Sequence, residues 1–221
     1  MTAPGFGALW LARPIDAEGV WCEVRDDAPR RGPGLFLDRD GVVVEEVDYL
    51  CRVEDVAVIP GATDVIGTAN RQGIPVVLVT NQSGIGQGRY GWDDFIAVQT
   101  VIVSLLEAGG ARLDAIYACP HHPVGKGEFL HPDHPARKPN PGMILRAAAA
   151  LDLDLRMSWL VGDKTVDIEA ARRAGLAGAM QVMTGYGTEQ WRDSASLTTP
   201  NFEVRPGSSI IDALTLPILT R

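Results

Sequence analysis

The sequence of 221 residues predicts an α/β fold built on a doubly wound, mostly parallel sheet. Three observations carry that prediction. Short apolar runs recur along the chain and alternate with longer helical patterns. The runs lack polar alternation, which marks strands covered on both faces. Most of them end on a polar or glycine residue that opens a loop. Strand–helix alternation requires right-handed crossovers, and these make the sheet parallel.

The elements follow in order. Residues 1–34 are rich in Gly, Pro and Arg and read as an N-terminal arm, in which VWCEV at 20–24 can add a short strand. The run LFL at 35–37 ends at Asp38, and VVLV at 76–79 ends at Thr80. AIYA at 115–118 precedes Cys119, WLV at 159–161 precedes Gly162-Asp163, and 179–183 is a fifth strand. Helix 63–72 stops at Gly73, a residue suited to the position after a helix C-terminus. Helix 93–108 carries Phe95, Val98, Ile102 and Leu105 at helical spacing and stops at Gly109-Gly110. Helix 141–151 opens with Pro, helix 165–174 ends before Gly175, and 208–216 is a last helix. Without repeats or a second block of composition, residues 35–221 read as a single domain. In such sheets ligands bind beyond the carboxyl ends of the strands, which aligns Asp38, Thr80, Cys119 and Asp163 on one rim.

Apolar residues make up 46% and charged residues 22%, the balance of a globular protein. A formal charge of −8 argues against nucleic acid and anionic membrane as partners. An anionic ligand would need a local basic pocket. Cys22, Cys51 and Cys119 are scattered, with no CxxC pair, as expected in a reducing compartment. The opening MTAPGFGALWLARP lacks the pattern of a signal peptide, and no apolar run is long enough to span a bilayer. A cytoplasmic monomer is the expectation.

Four constellations could do chemistry. In Asp38-Arg39-Asp40-Gly41 two carboxylates at a strand end can divide labour, one as metal ligand and nucleophile, the other as general acid and base. In isolation DxDG is more often an acidic turn. In Thr80-Asn81-Gln82-Ser83-Gly84 a hydroxyl and nearby N–H groups can hold phosphate oxygens, although such residues also favour ordinary turns. Lys138, in Arg137-Lys138-Pro139-Asn140-Pro141-Gly142, lies just before a helix opening, where a cation can neutralise a phosphoryl group. In Gly162-Asp163-Lys164-Thr165-Val166-Asp167, Asp163 is placed for a metal, while Asp167 can orient Lys164 or cap the helix. Together, in this order and at successive strand–helix junctions, the four are hard to explain as turns.

FLDRDG, VTNQSG, RKPNPG and VGDKTVD resemble the four motifs of the haloacid dehalogenase superfamily of phosphatases, across roughly Leu35 to Met183. Within it, the chain resembles the heptose-bisphosphate and histidinol-phosphate phosphatase branch. The resemblance implies a Rossmann-like core without a large cap, Mg²⁺ as cofactor and a small phosphorylated metabolite as substrate, with a sugar phosphate ahead of histidinol phosphate. It implies Asp38 as nucleophile and metal ligand, Asp40 as general acid/base with its carbonyl on the metal, and Asp163 as the further ligand. Thr80 and Lys138 would stabilise the transferring group. Arg39, Asn81, Gln82, Ser83, Arg137 and Lys164 would contact substrate.

One stretch departs from the branch. Its zinc loop opens with Cys-x-His and closes with Cys-x-Cys. Here Cys119-Pro120-His121 fits the opening, whereas the close reads His134-Pro135-Ala136. Cys119, His121 and His134, with His131 as a fourth ligand, could bind structural Zn²⁺. A metal-free loop stiffened by prolines is the alternative, and both stand open.

Overall fold

A computed structural model describes residues 14–220, so the first part of the expected arm, residues 1–13, lies outside the described residues. Strands β1 (Trp21–Val24), β2 (Leu35–Leu37), β3 (Val76–Asn81), β4 (Ala115–Cys119), β5 (Trp159–Gly162), β6 (Gly178–Val182) and β7 (Glu203–Gly207) form one seven-stranded sheet in the order β1-β4-β3-β2-β5-β6-β7. All neighbours pair in parallel except β1, which runs antiparallel to β4 at the edge, Trp21 opposite Ala118 and Val24 opposite Ala115.

The helices are α1 (Ala62–Arg71), the single turn α2 (Ser83–Gly86), α3 (Trp92–Ala108), α4 (Gly142–Leu151), α5 (Thr165–Ala174) and α6 (Gly187–Ala195). They lie on both faces of the sheet, and two apolar clusters result. One gathers Leu35, Leu37, Val76 and Leu78 with Val65, Ile66, Phe95 and Ile102. The other gathers Phe36, Val77, Val79 and Leu160 with Met143, Ile144, Ile168 and Ala171. Alternate residues of one strand thus face opposite clusters, which is why β2, β3 and β4 read as unbroken apolar runs.

Two elements escape the apolar-run reading. β7 (EVRPG) is an edge strand, mostly solvent-facing and interrupted by Pro206. α6 buries only Gly187 and Ser194, so it has no apolar stripe. The expected helix 208–216 is a 3₁₀ stretch, Ile210–Thr215. No described helix is long and apolar enough to cross a membrane.

Because β2 is central, its end falls midway along the rim. Asp38 leaves β2, Thr80 and Asn81 end β3, and Asp163 follows β5, the two strands that flank β2.

Candidate active site

Asp38 is buried, its main-chain N–H bonded to Val161 O at 3.0 Å. Its Oδ1 accepts the N–H of Arg39 at 2.7 Å and faces Lys138 Nζ at 3.0 Å. The Lys138 ammonium also lies 2.6 Å from Asp167 Oδ1 and donates to Val79 O at 2.8 Å. Burial would drive Lys138 toward the neutral amine, but Asp167 and Asp38 outweigh it and hold its pKa above the ordinary value. Asn81 aims the lysine by clasping its backbone, Nδ2 to Lys138 O and Lys138 N–H to Oδ1, both at 3.0 Å.

Asp163 completes a buried carboxylate cluster in which one oxygen each of Asp38, Asp163 and Asp167 lie within 4.8 Å of one another. Asp163 Oδ2 accepts the N–H of Tyr186 at 2.9 Å, while Oδ1 is buried with no hydrogen-bond partner among the described residues. Burial, then Asp167 and Asp38, push the Asp163 carboxyl above the usual carboxylate range. Gly41 is required here. It has φ +79°, and a Cβ on it would stand 2.6 Å from Asp163 Oδ2.

Asp40 sits at the mouth, 17% exposed in its side chain. Arg39 grips it in a fork, Nε to Oδ1 at 2.9 Å and Nη2 to Oδ2 at 3.0 Å. Gln82 Nε2 donates to Asp40 Oδ2 at 3.2 Å and to Thr80 Oγ1 at 2.8 Å. Its Oε1 accepts Tyr90 OH at 2.5 Å and Arg39 Nη2 at 3.2 Å, so the amide has one orientation.

These contacts redistribute the expected substrate groups. Arg39, Asn81 and Gln82 turn their polar atoms largely onto the protein, and Arg39 is almost wholly buried over Phe95. Ser83 Oγ accepts Arg137 Nη1 at 2.8 Å, and His121 O accepts the same nitrogen at 3.0 Å. Lys164 Nζ meets Glu46 Oε2 at 2.8 Å and lies over the Tyr186 ring. A cleft of about 210 Å³ opens over Asp40, Ser83, Gln87, His122, Lys164 and Tyr186. Tyr90 is a partner that sequence reasoning left unassigned. Asp167, read there as orienting Lys164 or capping the helix, accepts the N–H of Lys164 and also pairs with Lys138.

Among the described residues, Cys119, His121, His131 and His134 are not gathered as a group that could hold a metal ion. The rings of His121 and His134 stack with centroids 3.7 Å apart and planes 3° from parallel. Imidazole lone pairs lie in the ring plane, so two stacked rings cannot aim at one ion. His134 Nδ1 accepts the N–H of Ala136 at 3.1 Å, and Cys119 Sγ is 3.9 Å from that same nitrogen. His131 Nδ1 accepts the N–H of Asp133 at 3.1 Å. Burial pushes the Cys119 thiol up to about 11. Nδ1 of His121 is buried without a hydrogen-bond partner among the described residues.

Residues 135–207 match the HAD-hydrolase-like family model. The D-glycero-beta-D-manno-heptose-1,7-bisphosphate 7-phosphatase of Mesorhizobium japonicum is 44% identical over 192 residues, 83% of this chain and 88% of the relative. The chain belongs to the haloacid dehalogenase-like phosphatases. A solved structure from Mesorhizobium loti, described as a HAD-like phosphatase, superposes with TM-score 0.83 at 40% identity, covering 95% of this chain and 97% of the other. D,D-heptose 1,7-bisphosphate phosphatase from B. bronchiseptica, complexed with magnesium and phosphate, superposes with TM-score 0.70 at 30% identity, covering 80% and 94%.

This haloacid dehalogenase-like phosphatase is a hydrolase, and Mg²⁺ is the metal such enzymes use. Its carboxylates suit a hard cation that takes oxygen ligands. Asp38 and Asp163 can hold the ion, and the unpartnered Asp163 Oδ1 is the donor such an ion would satisfy. Asp167 is already engaged by Lys138.

Proposed function

We propose that the enzyme is a Mg²⁺-dependent heptose 1,7-bisphosphate 7-phosphatase that works through a phosphoryl ester on Asp38. The observation that carries the chemistry is the buried set of Asp38, Asp163 and Asp167, two of them paired with Lys138, close in sequence to Asp40 and Lys164, which line a cleft. The substrate rests on the relatives' activity, together with Lys164, which lines the cleft, and Arg137, bonded to the cleft residue Ser83.

An Asp38 carboxylate oxygen attacks phosphorus in line while the ester bond to the sugar oxygen breaks. Asp40 gives its proton to that oxygen, so the sugar leaves as an alcohol. Asp40, now a carboxylate, takes a proton from water as the water attacks the phosphorus of the aspartyl phosphate. Asp38 is restored and inorganic phosphate released. Lys138 and Thr80 neutralise and orient the equatorial oxygens throughout. Bound Mg²⁺ would supply charge neutralisation and a template for the phosphoryl group. Ser83, Arg137 and Lys164 are the groups we assign to the rest of the substrate.

All of these residues lie within 35–221, which we read as the catalytic domain. The free cysteines, Cys22, Cys51 and Cys119, suit a reducing compartment such as the cytoplasm, and the small single domain suits a monomer. The test is hydrolysis of D-glycero-D-manno-heptose 1,7-bisphosphate, with the position of the remaining phosphate determined, with and without Mg²⁺. Efficient turnover of histidinol phosphate with none of the bisphosphate would overturn the substrate. No turnover of any phosphomonoester would overturn the chemistry.

A further inference from the structure

The loop from Cys119 to Lys138 delivers Arg137 and Lys138 to the site, yet its Cys and His donors diverge. It is instead met from outside by the segment that precedes β1. Residues 16–20 close into a turn, with Asp16 Oδ1 accepting the N–H of Glu18 at 2.9 Å and of Val20 at 3.0 Å. Gly19 lets this turn lie against the loop, since it has φ +75° and a Cβ there would stand 3.3 Å from the Phe129 ring. The carbonyl of Glu18 sits 2.7 Å from His121 Nε2; a carbonyl only accepts, so that nitrogen carries the proton. From α4, Arg146 reaches back to the carboxylates of both Asp16 and Glu18. The turn is thereby clamped between α4 and the loop. His121 passes the restraint on, because its carbonyl accepts Arg137 Nη1.

We propose that Glu18 and Arg146 are positioning residues for Arg137, clamping the Cys119–Lys138 loop from the N-terminal side so that it keeps its shape without a metal. The consequence for substrate rests on the reading of Arg137 as the contact for the second phosphate of a bisphosphate. The clamp itself does not. Its ion pairs are partly exposed, Arg146 by 27% and Glu18 by 57% of their side chains, so each variant should loosen the loop by a modest factor.

The test uses full-length Arg146→Met and Glu18→Ala, each verified as folded by its melting transition. Zinc is measured in wild type purified without an affinity metal column. Trypsin cleavage after Lys126, which is exposed in the loop, reports loop opening. We expect substoichiometric zinc and cleavage faster by about three- to fivefold in both variants, the scale of a lost surface ion pair. KM for heptose 1,7-bisphosphate should rise by a similar factor, and more than KM for p-nitrophenyl phosphate, which has no second anion. Stoichiometric zinc whose chelation speeds cleavage would overturn the clamp. So would unchanged cleavage in both variants, which leaves the loop to its prolines. Faster cleavage with both KM values moving together would overturn the link to Arg137. A wild type inactive on the bisphosphate would fail the substrate reading, while the cleavage rates still decide the clamp.

Discussion

Lys138 Nζ lies 2.6 Å from Asp167 Oδ1 inside the protein, the lysine side chain 2% exposed and the aspartate 0%. An ammonium buried to that degree is stable only if its charge is matched. Asp38 alone would match it, but the cation would then be locked onto the nucleophile. Asp167 shares the charge and leaves Lys138 poised between the two carboxylates. Its Oδ2 also accepts the N–H of Lys164 at 3.0 Å, fixing the start of α5.

Asp167→Asn should therefore cost both stability and rate. The amide can still cap α5 but no longer carries charge toward Lys138. Breaking a buried pair costs up to about 3–5 kcal/mol, and the remaining partner Asp38 reduces that to about 2–3 kcal/mol. Turnover should fall at least about tenfold as Lys138 collapses onto Asp38. Denaturant unfolding and kcat decide it, and wild-type values in both would remove Asp167 from the site.

Asp38→Asn should abolish turnover in a folded protein. The amide keeps the shape yet cannot attack phosphorus and is a poorer metal ligand. The loss should exceed about a thousandfold, the several kcal/mol that covalent catalysis contributes. Retention of more than about a tenth of wild-type kcat would remove the nucleophile assignment.

The strands bearing Asp38, Thr80 and Asp163 are legible because parallel strands buried on both faces need continuous apolar runs, and LFL, VVLV and WLV are such runs. Their order placed these residues on one rim. Chemistry between side chains was not legible. Arg39 reads as a cation for substrate, but whether it faces the cleft or Asp40 depends on a rotamer set by Gln82 and Phe95, which lie far along the chain. The Glu18–His121 contact joins residues 103 apart, and no local pattern announces it. β7 and α6 carry too little apolar surface for periodicity to detect.

Asp40→Asn should slow alkyl phosphates far more than aryl phosphates in kcat/KM, since an acidic leaving group needs no proton. Tyr90→Phe should move the same ratio in the same direction by a smaller factor. Its hydroxyl donates to Gln82 Oε1 and helps hold the amide whose orientation Arg39 and Asp40 set, with Nε2 toward Asp40 and Thr80. In a Gln82→Met background Tyr90→Phe should have no further effect, because the hydroxyl acts through the amide. Equal losses for both substrate classes in Asp40→Asn would argue against the general acid. An undiminished Tyr90→Phe effect in the Gln82→Met background would break the relay from Tyr90.

Metal affinity should rise with pH, and the sign follows from Asp163. Burial, with Asp167 and Asp38 adding repulsion, raises its carboxyl from 3.8 to about 8. The folded metal-free protein therefore binds a proton there that the unfolded chain does not. That contribution to stability is fully present below pH 3.8 and is lost as pH rises toward about 8. Mg²⁺ requires the ionised carboxylate and must displace the proton to bind. At pH 6 the ion works against a protonated site, whereas near pH 8 it relieves a site of crowded, unpaired charge. The melting temperature in chelator should fall between pH 6 and 8, while the increment from saturating Mg²⁺ should grow over the same interval. Calorimetry in buffers of different ionisation enthalpy should detect up to about one proton released per ion bound at pH 6, and less at pH 8. An increment and a proton count that stay constant between those values would mean that Asp163 is already ionised without metal, and that the buried cluster does not store the proton its geometry implies.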